Sequence, residues 1–498
     1  MRNMHAAFIT LALLAHQGSF AQTNSGDSIV QKYRAEQKIL GNEFASHFFG
    51  NFSRNARLTE RAFVAKVDSS RNLFVALLKT YEQSLDPAFV SNQEAEIKYY
   101  FDKLILDYPA QHEIYSGAGK TRLSQKVDKR LSENVRDFNR PELLSNADFR
   151  DYVKAYLEHR AAAMTESYQA RDNKRLVATW TLIQSTFSNP ACREFWQYDY
   201  LYNHIDNNGI KNIQALVDEF RLSCHDITYV GRVNRLYAED SAARADHLIR
   251  TYKTVDGYDL DIHIFLPSDG MAKERPVFVY FHGGSWSEGK PDWGFSACKR
   301  YASKGWVAVA VEYRVSSRHA TLPFESVMDA RSAIRWLRKN ASEYGIDPAR
   351  IVVTGNSAGG HLALATALAD KWNERSDDLQ LSPVPNFIMV NAAVYDLTVE
   401  NTTWIAKGLK DKNVVKEISP NHLLRKNMPP VLAVHGTRDL NCPYETALSF
   451  KKEMQRLGND CDFLELEGAT HFIWVQPQYS ERISTARTAF LQKWGLEN

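Results

Sequence analysis

Four stretches of this sequence, two of them acting as a pair, carry the residue types that acyl transfer needs. The first is GNSAGG, Gly355–Gly360, set between the apolar run IVVT and the Ala-rich run HLALATALA. A serine hydroxyl becomes a useful nucleophile when a nearby base can take its proton. A tight strand-to-helix turn lifts the Oγ clear of the sheet, and the strained backbone there requires small residues two before and two after the serine. Gly355 and Gly359 meet that requirement around Ser357. The helix that follows directs its first N–H groups, and the positive end of its dipole, toward the serine. Ser357 is the candidate nucleophile. A bare G-x-S-x-G is also compatible with a glycine-rich packing turn, and the strand–turn–helix context is what favours chemistry.

The second stretch is HGGSW, His282–Trp286, directly after the apolar run VFVYF. Acyl transfer places negative charge on a tetrahedral oxygen, and each preorganised N–H aimed at it is worth about 3 kcal/mol. The sequence predicts the backbone N–H groups of Gly283, Gly284 and Ala358 as those donors. Ser285 and Trp286 become candidate substrate-contacting residues. The third element has two parts. HGTRDLNCP puts Asp439 just past the run VLAVH, and GATHF puts His471 just past FLEL. His471 is the candidate general base and Asp439 its orienting acid, in the chain order serine, acid, histidine. Asp396 in VYDL also follows a strand-like run and competes for the acid role. Asp329 reads as a helix-surface or loop-bracing carboxylate. His282 and His361 sit beside glycine pairs and read as loop braces, and His435 as structural. His319 and His422 lie in polar segments.

These residues need a scaffold that brings them to one edge. From Tyr258 onward, short β-branched runs alternate with amphipathic segments. Strands are expected at Leu260–Leu266, Val277–Phe281, Val307–Val311, Ile351–Thr354, Phe387–Val390, Val431–His435 and Asp462–Leu466. Helices are expected at Phe324–Lys339, Ala358–Ala369, Tyr444–Leu457 and Tyr479–Trp494. Such alternation implies a mostly parallel sheet with helices on both faces. Its reactive groups gather beyond the carboxyl ends of the strands. From about Ser28 to Leu236 the apolar spacing is helical, as in Phe149, Tyr152, Val153, Tyr156 and Leu157. The expected organisation is a leader over 1–21, an all-α domain over 22–240 and an α/β catalytic domain over 241–498. Tyr99, Tyr100, Phe195, Trp196 and Tyr198 could face a sugar, but at their spacing they read as core.

The bulk numbers narrow the function further. The chain has 498 residues, too many for one ordinary core, with 61 basic and 59 acidic side chains. A net charge of +2 with short, mixed clusters argues against a nucleic-acid partner. Arg2, the apolar run Ala6–Ala15 and small residues at Ser19 and Ala21 read as an export signal cut after Ala21. The expected destination is the periplasm or the exterior. That run is about half of the ~20 residues a membrane span needs. Five cysteines remain, an odd number, and Cys192 with Cys224 is the first pair to consider for a disulfide. With no C-x-x-C and no Cys/His cluster in sequence, no metal and no other cofactor is expected.

Taken together, HGGSW, VEYR, FESVMDARSAIRWLRKNASEYGIDPARI, GNSAGGHLA, HGTRDLNCPYETA and GATH carry a family likeness. Residues from about Thr254 to Gly495 resemble the hormone-sensitive-lipase-like esterase branch of the α/β-hydrolase superfamily, including its bacterial carboxylesterase and feruloyl- or acetyl-esterase members. That branch usually shows HGGG where this chain has Ser285 in the last place. The resemblance implies a serine carboxylic ester hydrolase acting through an acyl-enzyme on short acyl or aromatic-acyl esters, carbohydrate-linked esters among them. A serine exopeptidase of the prolyl-oligopeptidase type is the alternative. The HGG turn in place of a YGG-like one, and helices in place of propeller blades, weigh against it. A non-catalytic binding protein on the same scaffold is a third reading, weakened because every position is filled by a competent residue.

Overall fold

The computed structural model describes residues 26–164, 173–268, 274–399, 405, 409 and 411–497. The expected leader, 1–21, lies outside them. The chain divides into two compact units. One comprises 1–166, 177–197 and 406–410, and the other 167–176, 198–405 and 411–498. Among helices of ten residues or more, the first unit holds α1 (Gly26–Phe44), α2 (Glu60–Tyr81), α3 (Pro87–Ser116) and α4 (Ala147–Met164). Most of α5 (Lys174–Thr186) and the first part of α6 (Pro190–Asn208) belong to it as well.

Its helix ends follow local chemistry. Thr59 opens α2 by accepting from the Ala62 N–H, and Asp86 opens α3 by accepting from Ala88 and Phe89, with Pro87 at the first helical position. Gly117 closes α3 in the left-handed conformation, φ 75°. The interior is aromatic. Phe44, Phe74 and Phe101 pack edge-on or tilted with centroids 5.4–6.2 Å apart, and Tyr99 packs on Phe149 at 5.0 Å. Tyr99, Tyr100 and Trp196 are buried, which makes them core. Phe195 and Tyr198 are half-buried.

The second unit is built on an eight-stranded sheet: β1 (Leu248–Val255), β2 (Tyr258–Phe265), β3 (Arg275–Phe281), β4 (Val307–Val311), β5 (Ile346–Asn356), β6 (Phe387–Asn391), β7 (Val431–Gly436) and β8 (Cys461–Leu466). The spatial order is β1-β2-β4-β3-β5-β6-β7-β8. β1–β2 and β2–β4 pair antiparallel, and all other pairs are parallel. Every residue of β3 and β4 is buried, as expected of strands covered on both faces. The covering helices include α9 (Phe295–Ser303), α10 (Pro323–Lys339), α11 (Ala358–Leu368), α12 (Tyr444–Arg456) and α13 (Pro477–Lys493). This is the α/β-hydrolase arrangement that the motifs imply.

The end of α6 with α7 (Gln214–Ser223) and α8 (Ile227–Ala243) belongs to the sheet unit. Specific contacts hold them there. Lys211 Nζ lies 2.6 Å from Asp261 and 2.9 Å from Glu312, and Asp240 Oδ1 lies 2.8 Å from Lys290 Nζ. The proposed Cys192–Cys224 disulfide is absent, and all five cysteines are free. Cys192 is buried inside the helical unit, whereas Cys224 is half-buried in the sheet unit, where its thiol donates to the Asp226 carbonyl at 3.7 Å.

Candidate active site

The serine turn is strained in the way the glycine spacing implies. Ser357 has φ 54° and ψ −121°, between the last residue of β5 and the first of α11. A Cβ on Gly355 would sit 2.3 Å from Gly359 C, and one on Gly359 would sit 2.1 Å from the Phe281 carbonyl oxygen. Neither position can hold a side chain without moving backbone. The Ser357 N–H donates to the Asn391 carbonyl at 3.0 Å, and Asn391 Nδ2 donates to Asn356 Oδ1 at 2.8 Å. The turn is therefore pinned to the end of β6 from two sides.

The HGGSW turn lies against it. A Cβ on Gly283 would fall 3.7 Å from Ser357 Cβ and 3.2 Å from the Asn356 carbonyl oxygen, so the missing side chain lets the two turns touch. Gly284 takes φ 100°, and Ser285 and Trp286 take φ 54° and 55°. Two consecutive left-handed residues with side chains mark stored strain that the surroundings must hold. The surroundings do so with many bonds. Trp286 and Ser287 carbonyls accept from Ser316 and Ser317 N–H, each at 2.9 Å, and the Gly289 N–H donates to the Asn207 carbonyl at 2.8 Å. Ser317 Oγ donates to Asn208 Oδ1 at 2.8 Å. Lys290 Nζ, buried, donates to Asp240 Oδ1 at 2.8 Å and to the Ile205 carbonyl at 3.2 Å.

His282 and His361 are the loop braces their positions suggest. His282 Nδ1 meets the Gly283 carbonyl at 2.8 Å, and the ring stacks on Tyr313, whose hydroxyl donates to the His282 carbonyl at 2.7 Å. His361 Nε2 donates to the Ile418 carbonyl at 2.6 Å. Burial pulls both imidazoles down to about 4, so they are neutral at physiological pH. His319 differs from the polar-segment reading. It is buried, and its Nδ1 lies 3.0 Å from the Val315 N–H.

Asp439 and His471 come together past the ends of β7 and β8, which pair in parallel. His471 Nδ1 stands 2.8 Å from Asp439 Oδ2, both side chains buried. The other carboxylate oxygen accepts from the N–H groups of Asn441 and Cys442, each at 2.9 Å. His435 Nε2 donates to the Cys442 carbonyl at 2.8 Å and lies 3.4 Å from Asp439 Oδ2, a structural role. Asp396 is occupied elsewhere, accepting from Thr398 N–H and Oγ1 with His422 at 3.3 Å. Asp329 is fully buried rather than on a helix surface, held by Arg314 and by Lys253 of β1 at 2.8 and 2.6 Å.

One residue near this site went unread in the sequence. Cys442, three positions after Asp439, is buried. Burial pushes its thiol well above its ordinary range, Asp439 adds to the rise, and the nearby Ser357 side chain opposes it. Ligand atoms of Asp439, Cys442 and His471 all lie within 4.8 Å of one another.

Known proteins resemble the sheet-bearing part of the chain. Residues 260–454 match the BD-FAE family. Most of that match lies within the sheet unit. Esterase LipC of Mycobacterium tuberculosis is 28% identical over 263 residues, covering 49% of this chain and 60% of LipC. The probable isoprenylcysteine alpha-carbonyl methylesterase ICMEL1 of Arabidopsis thaliana is 25% identical over 231 residues, 42% of this chain and 48% of that protein. A solved thermophilic esterase, Est2 of Thermogutta terrifontis, is 32% identical over 51% of this chain and 94% of its own, with a TM-score of 0.48. The chain spans 60%, 52% and 47% of the lengths of LipC, LipQ and LipM, three mycobacterial relatives. By name the two sequence relatives LipC and ICMEL1 are an esterase and a probable methylesterase. No helix among the described residues is long and apolar enough to cross a membrane.

Proposed function

We propose that the sheet unit is a serine carboxylic ester hydrolase working through an acyl-enzyme. The observation that carries this reading is the 2.8 Å contact between His471 Nδ1 and Asp439 Oδ2. With Nδ1–H donated to the carboxylate, Nε2 is left as the basic nitrogen. His471 removes the Ser357 proton as Oγ attacks the ester carbonyl. Asp439 keeps the tautomer and stabilises the imidazolium. The backbone N–H groups of Gly283, Gly284 and Ala358 receive the oxyanion. The alcohol leaves with the proton from His471, and water, deprotonated by the same nitrogen, then releases the acid.

Short acyl and aromatic-acyl esters, carbohydrate-linked ones included, are the proposed substrates, met after export of the protein. The rings of Phe472 and Trp474 lie 5.2 and 5.3 Å from the His471 ring, and Phe472 is 48% exposed. Aromatic surface at the base favours an aromatic or apolar group on the ester. The test is a panel of p-nitrophenyl acetate, methyl ferulate and acetylated xylan beside dipeptidyl p-nitroanilides. Hydrolysis of the esters supports the proposal. Turnover confined to the anilides would make the protein an exopeptidase, and no turnover together with no fluorophosphonate labelling of Ser357 would make it a binding protein.

A further inference from the structure

The hydrolytic reading uses Ser357, His471 and Asp439 and leaves the Cys442 thiol without a task. Thiol, imidazole and carboxylate are the three ligand types from which protein zinc sites are built, and here one of each is gathered within 4.8 Å. No other group of three His, Cys, Asp or Glu side chains among the described residues comes so close. We propose that Asp439, Cys442 and His471 form an inhibitory site for a thiophilic divalent cation, zinc above all, so that the ion and the hydrolytic reaction compete for the same histidine.

Ligand atoms at about 2.0–2.3 Å from a tetrahedral zinc stand roughly 3.3–3.8 Å from each other. Starting from separations of no more than 4.8 Å, the three side chains close on an ion by moving about an ångström. No backbone rearrangement is required. All three residues are buried, so a bound ion is shielded from bulk water and its attraction for the carboxylate and thiolate is strengthened. A water can take the fourth position. Magnesium and calcium prefer all-oxygen ligands, so the thiolate selects against them.

Binding is balanced by proton release: the Cys442 thiol gives up its proton as the sulfur–zinc bond forms. Either imidazole nitrogen produces inhibition. If Nε2 binds, its lone pair can no longer accept the Ser357 proton. If Nδ1 binds, the ring proton moves to Nε2 and that nitrogen becomes a donor. In both cases the Asp439–His471 contact at 2.8 Å must give way to the ion. The sequence hides this site because Cys442 and His471 lie on separate strand-end loops with no zinc-type spacing.

The inhibitory half of the inference rests on the esterase proposal, while the binding half does not. Calorimetric titration of the full-length protein with ZnCl2 is expected to show one site in the wild type and in Ser357→Ala. Cys442→Val, which keeps the buried volume, is expected to weaken that site at least tenfold, and Cys442→Ala serves if the valine variant fails to fold. Cadmium added to the wild type is expected to give a thiolate-to-metal charge-transfer band that is reduced in the Cys442 variant. In the ester assay, zinc is expected to inhibit reversibly, with recovery on adding EDTA. No binding to the wild type, or equal binding by the Cys442 variants, overturns the site. Zinc binding to Ser357→Ala with no ester turnover by the wild type leaves the site standing and removes the esterase proposal instead.

Discussion

Asp439 binds His471 with one carboxylate oxygen and the N–H groups of Asn441 and Cys442 with the other. The carboxylate is thus fixed by its own loop before it orients the imidazole. An Asp439→Asn variant keeps the loop bonds through its carbonyl oxygen but offers an N–H where an acceptor is required, reversing the histidine tautomer. Turnover of p-nitrophenyl acetate is expected to fall about 10⁴-fold, as tautomer reversal does in serine hydrolases. KM is expected to change little. A loss under tenfold would mean that Asp439 is structural.

Ser357 holds a left-handed backbone angle, φ 54°, and only its hydroxyl is proposed to do chemistry. Ser357→Ala keeps the Cβ that the turn already tolerates. Ester turnover is expected to drop to background and fluorophosphonate labelling to vanish. The melting temperature is expected to stay within about 5 °C, since the change removes one partly buried hydroxyl. Retained labelling after the substitution would place the nucleophile elsewhere.

The parallel part of the sheet was legible because buried strands announce themselves as short β-branched runs. β3, β4, β6, β7 and β8 fall where the sequence puts them, within a few residues. β1 escaped notice: LIRTYKTV sets polar residues in adjacent pairs, with no strict alternation, and it is an edge strand with one partner. β5 runs from Ile346 through Asp347-Pro348, residues that argue against a strand until Arg275 is seen pairing with Ile346. The motifs singled out Ser357, Asp439 and His471 because each chemistry needs its own glycine and strand context. What braces the loops around them was not legible. Asn207, Asp240 and Lys290 act through contacts across long separations that leave no local pattern.

Those bracing contacts give a third expectation. Asp240 is the buried partner of Lys290, which continues the chain just past the strained turn at Gly284, Ser285 and Trp286. Asp240→Ala leaves the ammonium to Asp292, at 2.9 Å, and the Ile205 carbonyl, at 3.2 Å, and loosens the loop that carries the proposed oxyanion donors. A shift of about 1 Å in such donors costs up to about 10²-fold in rate. kcat is expected to fall ten- to a hundredfold with KM nearly unchanged, and Asp240→Glu to recover part of the loss. Equal changes in kcat and in the folded fraction would reduce the residue to a simple stabiliser.

Glu312, just past β4, supplies the pH dependence of folding. Burial alone would raise its carboxyl. The Arg318 and Lys211 charges outweigh that, together with hydrogen bonds from Lys211 and the Asp261 N–H, and hold it well below the usual carboxylate range. A carboxyl whose folded value is depressed stabilises the fold above its unfolded value, about 4.3, and loses that contribution as pH falls toward the folded value. The wild-type melting temperature is therefore expected to decline steeply as pH drops below about 4.3. Glu312→Gln removes the charge but leaves Arg318 and Lys211 buried without it, at a cost of about 3 kcal/mol at neutral pH. Its melting temperature is expected to start lower and fall less between neutral and acidic pH. Parallel wild-type and variant curves would show that the acid sensitivity resides in other carboxylates, Asp329 first among them.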